Sequence, residues 1–363
     1  MATSEDVRAA RDAKLDELHA RLTGAVEQLV TGDDWRRALE FAARFRSRSF
    51  GNGLLIAVQH LAAFEQGRVP EPEPTYVAGY KQWQSLGRQV VKGQPGYMIF
   101  APVTGRFASS TPQDVASWRR LGRFEKPKPG EAVRSRMVGA RPAYVWDVSQ
   151  TTGDPVPERS RPRLLEGEAP SGLWEGLSAL IEQRGFTVGR VADARAIGGA
   201  NGRTDFTNRT VAVRADMDEL QQVKTLSHEL AHIDLGHEDR MDVAGWHRGI
   251  GEVEAESVAL MIGAAHGIDT TTYTIPYVSG WAGTVKDKTP AEVVQATGER
   301  VRTTAGAILD ALPTVQTGTG DPPGLTRDAP VTRRTRERPS AVAAESFETV
   351  RREPARDHVV RSL

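Results

Sequence analysis

Apolar residues recur at two different intervals along the chain, and these intervals predict a mixture of helices and strands. Helical spacing over residues 4–45 and again over 291–312 predicts helices in both stretches. Short apolar runs bounded by glycine and proline predict strands within residues 75–102 and at 143–148. Because helices and strands follow one another in an irregular order, we expect an α+β fold.

Local composition divides the chain into four segments. A proline-rich stretch of mixed charge predicts a linker near the middle, and the end of the chain is too rich in Pro, Thr, Gly and Arg to bury a core. The predicted segments are a first α+β domain over residues 1–150, a linker over 151–170, a second α+β domain over 171–312 and a disordered C-terminal tail over 313–363.

The overall charge and residue usage narrow the range of functions. The 363 residues include 47 Lys and Arg against 47 Asp and Glu, so the total charge favours no class of partner. The absence of cysteine excludes disulfides and thiolate ligands, which leaves histidine and carboxylate for any metal site. No apolar run approaches the ~20 residues of a membrane span, and the N-terminus lacks an apolar signal core. We therefore expect a cytoplasmic protein that is not embedded in a membrane.

The stretch Thr225–His232 contains the pattern H-E-x-x-H. On a helix, His228 and His232 project from one face, where two imidazoles can hold one Zn²⁺ ion. Glu229 lies about 100° further around the helix, where its carboxylate can act as a base toward an attacking water. The pattern is short, and structural histidines on an exposed helix are the alternative interpretation.

A catalytic zinc ion requires a third protein ligand, and three glutamates on a second predicted helix are available. Glu252 is closest to the apolar stripe of that helix and is expected to turn inward as the ligand. Glu254 is expected to face water, and Glu256 is a reserve ligand or a neighbour of the ligands. His237 also competes, but its spacing from the motif is out of register by one residue, which favours a position at the cleft rim or at a helix end.

Residues from about 200 to 265 resemble the gluzincin metallopeptidase domains of the IrrE/ImmA type. In that family a helix carrying E-x-x-A follows H-E-x-x-H, and the resemblance implies Glu252 rather than Glu256 as the ligand. By analogy with this fold, the strand Thr210–Val213 is expected to lie at the edge of a sheet along the cleft, where an extended peptide can pair with it.

A second chemical signal lies in the first domain. From Pro74 to Gln113 there are four cations and no Asp or Glu, and aromatic residues are interleaved with them. Cations that track phosphates and aromatic rings that stack on bases suit single-stranded nucleic acid. The alternative is that the aromatic residues belong to the core. The basic, proline-rich residues 103–137 predict a long hairpin or loop that could also contact DNA.

Four segments of the first domain form a further pattern: Ser49–Asn52, Leu55-Ile56 with Gln59, Gly79–Trp83, and Leu86–Val90 with Lys92-Gly93. Together they resemble the N-terminal domain of ArdC-type antirestriction proteins, a family that joins a single-strand-DNA-binding domain to a zincin-like domain. The resemblance implies that single-stranded DNA is a partner. It does not identify the side chains that touch DNA, and we expect these basic residues to do so: Arg44, Arg48, Lys81, Arg88 and Lys92.

Three functional hypotheses follow from these patterns. The first is a single-stranded-DNA-binding antirestriction protein whose zinc site hydrolyses peptide bonds, with Glu229 as the base and a protein or peptide as substrate. The second is a non-enzymatic protein that coats single-stranded DNA and has a structural or vestigial zinc site. The third is a signalling protease that cleaves a repressor.

Overall fold

The computed structural model describes residues 4–157, 168–240, 248–271, 273 and 288–325. These residues belong to one compact unit that ends at Leu325. In this part of the chain we find no helix that is long and apolar enough to cross a bilayer. The mixture of helices and sheets confirms the predicted α+β class.

Three helices open the fold, in agreement with the predicted helical stretch. They are α1 (Ser4–Glu27), α2 (Gly32–Arg44) and α3 (Phe50–Glu65). Helix α2 begins with a capping box, in which Asp34 N donates to Thr31 Oγ1 and Thr31 N donates to Asp34 Oδ2. The reciprocal bonds pair donors that the first turn of a helix leaves without partners. Its buried face includes Trp35 and Leu39, which belong to the main core.

The first half of the chain also contains a four-stranded sheet in the order β1-β5-β3-β4 and a separate pair formed by β2 and β6. The elements are β1 (Val77–Gly79), α4 (Tyr80–Ser85), β2 (Arg88–Val90), β3 (Tyr97–Ser109), β4 (Arg119–Arg120), β5 (Ala132–Asp147) and β6 (Thr151–Gly153). Strand β6 occupies the start of the segment predicted to be a linker.

Strands β3 and β5 form a long antiparallel hairpin, as the basic stretch 103–137 led us to expect. Their pairing runs from Tyr97 opposite Val145 to Ser109 opposite Ala132. A β-bulge between Val103 and Thr104 divides the hairpin into an inner part that packs on the core and an outer part. We call the outer part, residues 104–137, the arm.

Helix α3 covers the free edge of the inner part of β3 with two side-chain amides. Asn52 accepts from Phe100 N and donates to Phe100 O, each at 2.9 Å. Gln59 does the same for Met98, at 2.9 and 3.0 Å. Each amide takes the place of a neighbouring strand. Its oxygen accepts from the backbone N–H group of one β3 residue, and its NH₂ group donates to the backbone oxygen of the same residue. These two residues of the antirestriction-like pattern therefore have a structural role.

The second half contains a smaller sheet and the helices that form the cleft. Its elements are α5 (Leu173–Gln183), β7 (Thr187–Val191), β8 (Gly202–Asp205), β9 (Thr210–Arg214), α6 (Glu219–Asp234), α7 (His237–Arg240), α8 (Arg248–Ala265) and α9 (Pro290–Ala311). Helix α9 confirms the helix predicted over residues 291–312.

The position of β9 corrects one expectation. Strand β9 lies in the middle of the sheet, parallel to β7 on one side and antiparallel to β8 on the other. Thr210–Val213 is therefore not an edge strand, and its backbone groups are already paired on both sides. Strand β8 lies at an edge instead and lines the cleft.

One apolar core extends through both predicted domains. Helix α2 packs on α8, where the Trp35 indole donates to Ser257 Oγ at 2.9 Å. Helix α9 approaches α3 closely at Gly298, where a Cβ would lie 2.4 Å from the Phe50 ring. Glycine is required there because any side chain would collide with the ring. The two predicted domains thus share an interior, and the boundaries at residues 150 and 171 remain predictions.

Disorder does not begin at residue 313 as predicted. Thr317 N donates to Ala265 O at 2.7 Å, and the Arg46 guanidinium donates to Thr317 O at 2.9 Å. Val77 N donates to Gly320 O at 2.9 Å. Backbone pairing therefore holds residues 313–325 against the core although their composition is poor in apolar residues. The rest of the predicted tail, 326–363, lies outside the described residues.

Candidate metal centre

Helix α6 positions the two histidines of the H-E-x-x-H pattern. It begins at Asp218, whose side chain accepts from Gln221 N, and Leu226 and Leu230 are fully buried on its apolar face. One helical turn separates His228 from His232, so both imidazoles project from the opposite side. Their Nε2 atoms lie 3.0 Å apart.

Helix α8 brings a carboxylate to the same point. Glu252 Oε2 lies 3.3 Å from His228 Nε2 and 3.8 Å from His232 Nε2. The donor atoms of these residues all lie within 4.8 Å of one another. A tetrahedral Zn²⁺ ion with bonds of about 2.0–2.1 Å requires donors about 3.3 Å apart, so the three side chains fit such an ion. The structure brings the predicted ligand set together, and the ligand roles remain predictions.

The ring of His228 is held from behind by a carboxylate. Its Nδ1 lies 3.1 Å from Glu256 Oε2, and the other oxygen of Glu256 accepts from Lys224 Nζ at 3.0 Å. A carboxylate on the far nitrogen is the usual partner of a metal-binding histidine, because it fixes the ring and makes the near nitrogen more basic. Glu256 therefore has the position of a ligand's neighbour, which was one of its two predicted roles.

The ring of His232 is held by a longer chain of buried groups. Its Nδ1 lies 2.7 Å from His237 Nδ1, and His237 Nε2 lies 3.2 Å from Glu254 Oε2. The second oxygen of Glu254 forms an ion pair with Arg300 of helix α9. A salt bridge of this kind offsets the cost of burying the carboxylate.

This chain corrects one expectation. Glu254 was expected to face water, but it is fully buried. His237 is the first residue of helix α7 and lines the cleft, which agrees with its predicted position at the cleft rim or at a helix end, and its side chain is fully buried. The expectation for Glu254 was wrong because helix α8 packs on α6 on one side and on α2 and α9 on the other. Glu252, by contrast, is about half exposed, with 51% of its side chain accessible, because it faces the cleft.

The hydrogen-bond chain determines which ring nitrogens have a free lone pair. Ionised Glu256 and Glu254 accept hydrogen bonds from the N–H groups at His228 Nδ1 and His237 Nε2. The Nδ1 of His237 then carries no proton and accepts a hydrogen bond from the N–H group at His232 Nδ1. Both His228 and His232 are thereby left with an Nε2 lone pair directed at the space between them. Two lone pairs 3.0 Å apart repel one another unless a cation lies between them, so the arrangement suits a metal ion.

Without a metal, a proton takes the place of the cation. Burial lowers the pKa of His228, but hydrogen bonds from its ring to Glu252 and Glu256 outweigh this effect and raise the pKa to about 9. Hydrogen bonds from His228 and His232 hold the pKa of Glu252 well below its usual range. The site is thus strongly attractive to positive charge at neutral pH.

Glu229 lies beside this centre and is almost completely buried, with 6% of its surface accessible. Thr204 of the edge strand β8 donates to Glu229 Oε2 at 2.6 Å. The close approach of β8 requires Gly202, because a Cβ at that position would lie 2.7 Å from Glu229 Oε1 and 2.5 Å from Thr225 Cγ2. The strand therefore fixes the carboxylate of Glu229 in the cleft.

The cleft has a volume of about 920 Å³, and six of the groups discussed around the centre line it: His228, Glu229, His232, His237, Glu252 and Glu256. This volume is at the upper end of the range for small-molecule sites, about 300–1,000 Å³. Sequence reasoning missed Thr204, Gly202, Lys224 and Arg300 as parts of the site. Only Gly202 carried a signal, in the pair Asn201-Gly202, and that signal indicated a turn.

The basic residues predicted to contact DNA have different surroundings. Arg44 forms an ion pair with Glu73. Arg48 is nearly buried, with 9% of its side chain accessible, and bonds to Val77 O and Asp321. Arg88 donates to the side chain and the backbone oxygen of Thr151 at 2.8 and 2.9 Å. These arginines thus have partners within the chain.

The two predicted lysines differ from the arginines. Lys81 and Lys92 are exposed, and within the described parts of the chain neither has a carboxylate within 4.0 Å. Trp83, on the same short helix as Lys81, is fully buried and donates to Trp146 O at 3.0 Å. The core interpretation of this aromatic residue is therefore confirmed.

Comparison with known proteins finds a family that the first part of the chain resembles. Residues 13–146 match the family model of the N-terminal domain of anti-restriction factor ArdC. The matched segment runs from helix α1 to the end of strand β5 and includes the arm.

Individual proteins are more distant. The chain is 22% identical over 327 residues to an uncharacterized protein of Bacillus anthracis. That alignment covers 85% of this chain and 52% of the other, so the chain spans about half the length of this curated relative. The antirestriction protein ArdC from plasmid R388 is similar in a metal-free structure (TM-score 0.43, 18% identity) and in a Mn(II)-bound structure (TM-score 0.41, 19% identity). Each of these covers 73% of this chain and 84% of the ArdC chain.

Proposed function

We propose that the protein is a single-stranded-DNA-binding protein of the antirestriction type that also carries a divalent metal centre. The observation that carries the proposal is the match of residues 13–146 to the N-terminal domain of ArdC, a family that binds single-stranded DNA. The basic arm within the matched segment supports it, because a surface of positive charge attracts the phosphate backbone.

The metal centre is supported by its own geometry. His228, His232 and Glu252 provide three donors with the spacing of a Zn²⁺ site, and each histidine has a partner on its far nitrogen. We propose Zn²⁺ as the ion, because two imidazoles and one carboxylate are a donor set typical of catalytic zinc.

A salt titration of DNA binding tests the proposed function. We expect the protein to bind an unstructured single-stranded oligonucleotide at low salt. The logarithm of the association constant should fall linearly with the logarithm of the salt concentration, with a slope of about −0.7 for each phosphate contact. Fluorescence anisotropy with a labelled oligothymidylate measures both quantities. An affinity that is absent at low salt, or that does not respond to salt, would contradict the proposal.

Peptide hydrolysis is the second candidate function, and the position of Glu229 favours it. Its carboxylate is held beside the three donors by Thr204 rather than turned toward solvent. Bound zinc would supply Lewis-acid activation, and Glu229 would accept a proton from the attacking water and pass it to the leaving amine.

The substitution Glu229→Gln separates hydrolysis from metal binding. It preserves size and the ability to accept from Thr204 but removes the basic oxygen. We expect the variant to retain metal and fold while it loses all cleavage of a fluorescent casein substrate. Cleavage at the wild-type rate would exclude Glu229 as the base, and intact DNA binding in the variant would show that the two functions are separate.

A further inference from the structure

The arm concentrates positive charge that the balanced composition of the whole chain conceals. Residues 104–137 contain eight Lys and Arg against three Asp and Glu, a net charge of +5, whereas the total for the chain is zero. Two of the three acidic residues are paired within the arm, because Glu125 and Glu131 both bind Arg119. The third, Asp114, caps a short turn by accepting from Ala116 N.

Most of the remaining cations on the arm are free to bind another molecule. Within the part of the chain that the structure describes, these exposed side chains have no carboxylate within 4.0 Å: Arg106, Arg120, Arg123, Lys126, Lys128 and Arg136. Like charges that are held close together repel, and the paired strands of the arm hold these charges side by side. A polyanion relieves this repulsion and gains from the release of its counterions.

One face of the arm combines arginines with aromatic rings. Arg134 and Arg120 lie opposite Phe107 from the two neighbouring strands, and Arg136 follows Arg134 by two residues on the same face. The guanidinium of Arg134 stacks on the ring of Trp118 at 3.7 Å from its centroid, and that of Arg136 lies 5.7 Å from the ring of Phe107. We call these five residues the arginine–aromatic face.

Gly105 is buried beneath this face and lets Phe107 and Arg120 pack closely over the strand. A Cβ at Gly105 would lie 3.2 Å from the Phe107 ring and 3.3 Å from Arg120 Nε. Planar guanidinium groups and aromatic rings offer flat surfaces on which unstacked bases can lie. Arg134 and Arg136, two residues apart on β5, and Arg120 on β4 also place three positive charges on one face, where phosphates can bind.

We propose that the arginine–aromatic face is the surface that binds single-stranded DNA. The inference rests on the proposed function and deepens it, because it assigns binding to the arm rather than to Arg44, Arg48 and Arg88. Those arginines already have intramolecular partners. An acidic protein would satisfy the charges but would not use the flat stacking surfaces, so the face favours a nucleic acid.

The test compares two double variants of the full-length protein. Arg120→Gln/Arg136→Gln removes two charges from the face, and Arg8→Gln/Arg37→Gln removes two exposed charges from helices α1 and α2, where 78% and 63% of the side chains are accessible. The probe is a labelled oligothymidylate of about 30 nucleotides, longer than the about 4–16 nucleotides of a typical binding site. Thermal unfolding of each variant confirms that it is folded.

We call Arg120→Gln/Arg136→Gln the arm variant and Arg8→Gln/Arg37→Gln the helix variant. We expect the arm variant to bind the probe at least tenfold more weakly at low salt. Its salt slope should be smaller by about 1.4, because two phosphate contacts of about 0.7 each are lost. The helix variant is expected to bind within twofold of wild type. Trp118→Ala should weaken binding by about five-fold or more without changing the salt slope, because a stacking contact is lost rather than a charge.

The outcomes separate the two claims. If wild type binds the probe and the arm variant binds with the same affinity and slope, the assignment to the arm is overturned while the proposed function survives. If wild type does not bind the probe at low salt, the proposed function fails and the assignment fails with it. Equal losses in the arm and helix variants would also overturn the assignment, because binding would then follow total charge alone.

Discussion

The candidate metal centre and the arm use charged residues in opposite ways. Around the centre, the carboxylates and imidazoles of α6, α7 and α8 are bonded to one another, and Arg300 and Lys224 complete the set. On the arm, most charges are exposed and lack a carboxylate partner among the described residues. The first arrangement suits a small ion that needs exact donor positions. The second suits an extended polyanion that is bound by many weak contacts.

The largest expected effect is the loss of metal affinity when a donor of the candidate metal centre is removed. His228→Ala removes one of three donors, so we expect a loss greater than the about 100-fold that accompanies the loss of a neighbouring group. Isothermal titration calorimetry measures the affinity of each variant for Zn²⁺. His19→Ala, at an exposed histidine on α1, is the matched control and should bind as wild type does. Equal affinities in the two variants would place the metal elsewhere.

The second largest effect tests whether the buried partners of His232 contribute to metal affinity. Glu254→Gln weakens the chain through His237 to His232, and we expect a 10–100-fold lower affinity for Zn²⁺. The exposed Glu182→Gln is the matched control. An unchanged affinity in a folded Glu254→Gln protein would show that the chain is structural and does not orient the ligand.

The dependence of metal binding on pH is a third test. Because the pKa of His228 is raised to about 9, the metal-free protein carries a proton there at neutral pH, and binding must displace it. We expect the apparent affinity to rise by about tenfold per pH unit from pH 7 upward and to level off above about pH 9. An affinity that is constant from pH 7 to 9 would mean that no proton is displaced.

The smallest effect on binding is expected where a predicted DNA contact is structural. Arg48 is nearly buried and bonds to Asp321, so Arg48→Gln should lower the free energy of unfolding by about 3–5 kcal/mol. Its affinity for the oligonucleotide should stay within twofold of wild type. Thermal unfolding and anisotropy measure the two quantities, and a large loss of DNA affinity with normal stability would restore Arg48 as a contact.

The comparison also explains what the sequence could and could not predict. The proximity of His228 and His232 was predictable, because fixed spacing on a helix determines which side chains share a face. The approach of Glu252 from a second helix was expected from the apolar stripe of that helix and from the resemblance to metallopeptidase domains. Burial of Glu254 was not, because it depends on the packing of α9, which follows more than 30 residues later. The DNA contacts were the least predictable. The position of an arginine in the sequence does not reveal whether a carboxylate such as Glu73 or Asp321 lies next to it in the folded chain.

The most direct test of the metal centre is an anomalous-scattering map from crystals grown with Zn²⁺ and measured on both sides of the zinc absorption edge. The account predicts one strong peak about 2.0–2.1 Å from the Nε2 atoms of His228 and His232, and at bonding distance from the carboxylate of Glu252. A map without a peak between these side chains, or with Glu252 turned away from it, would contradict the account.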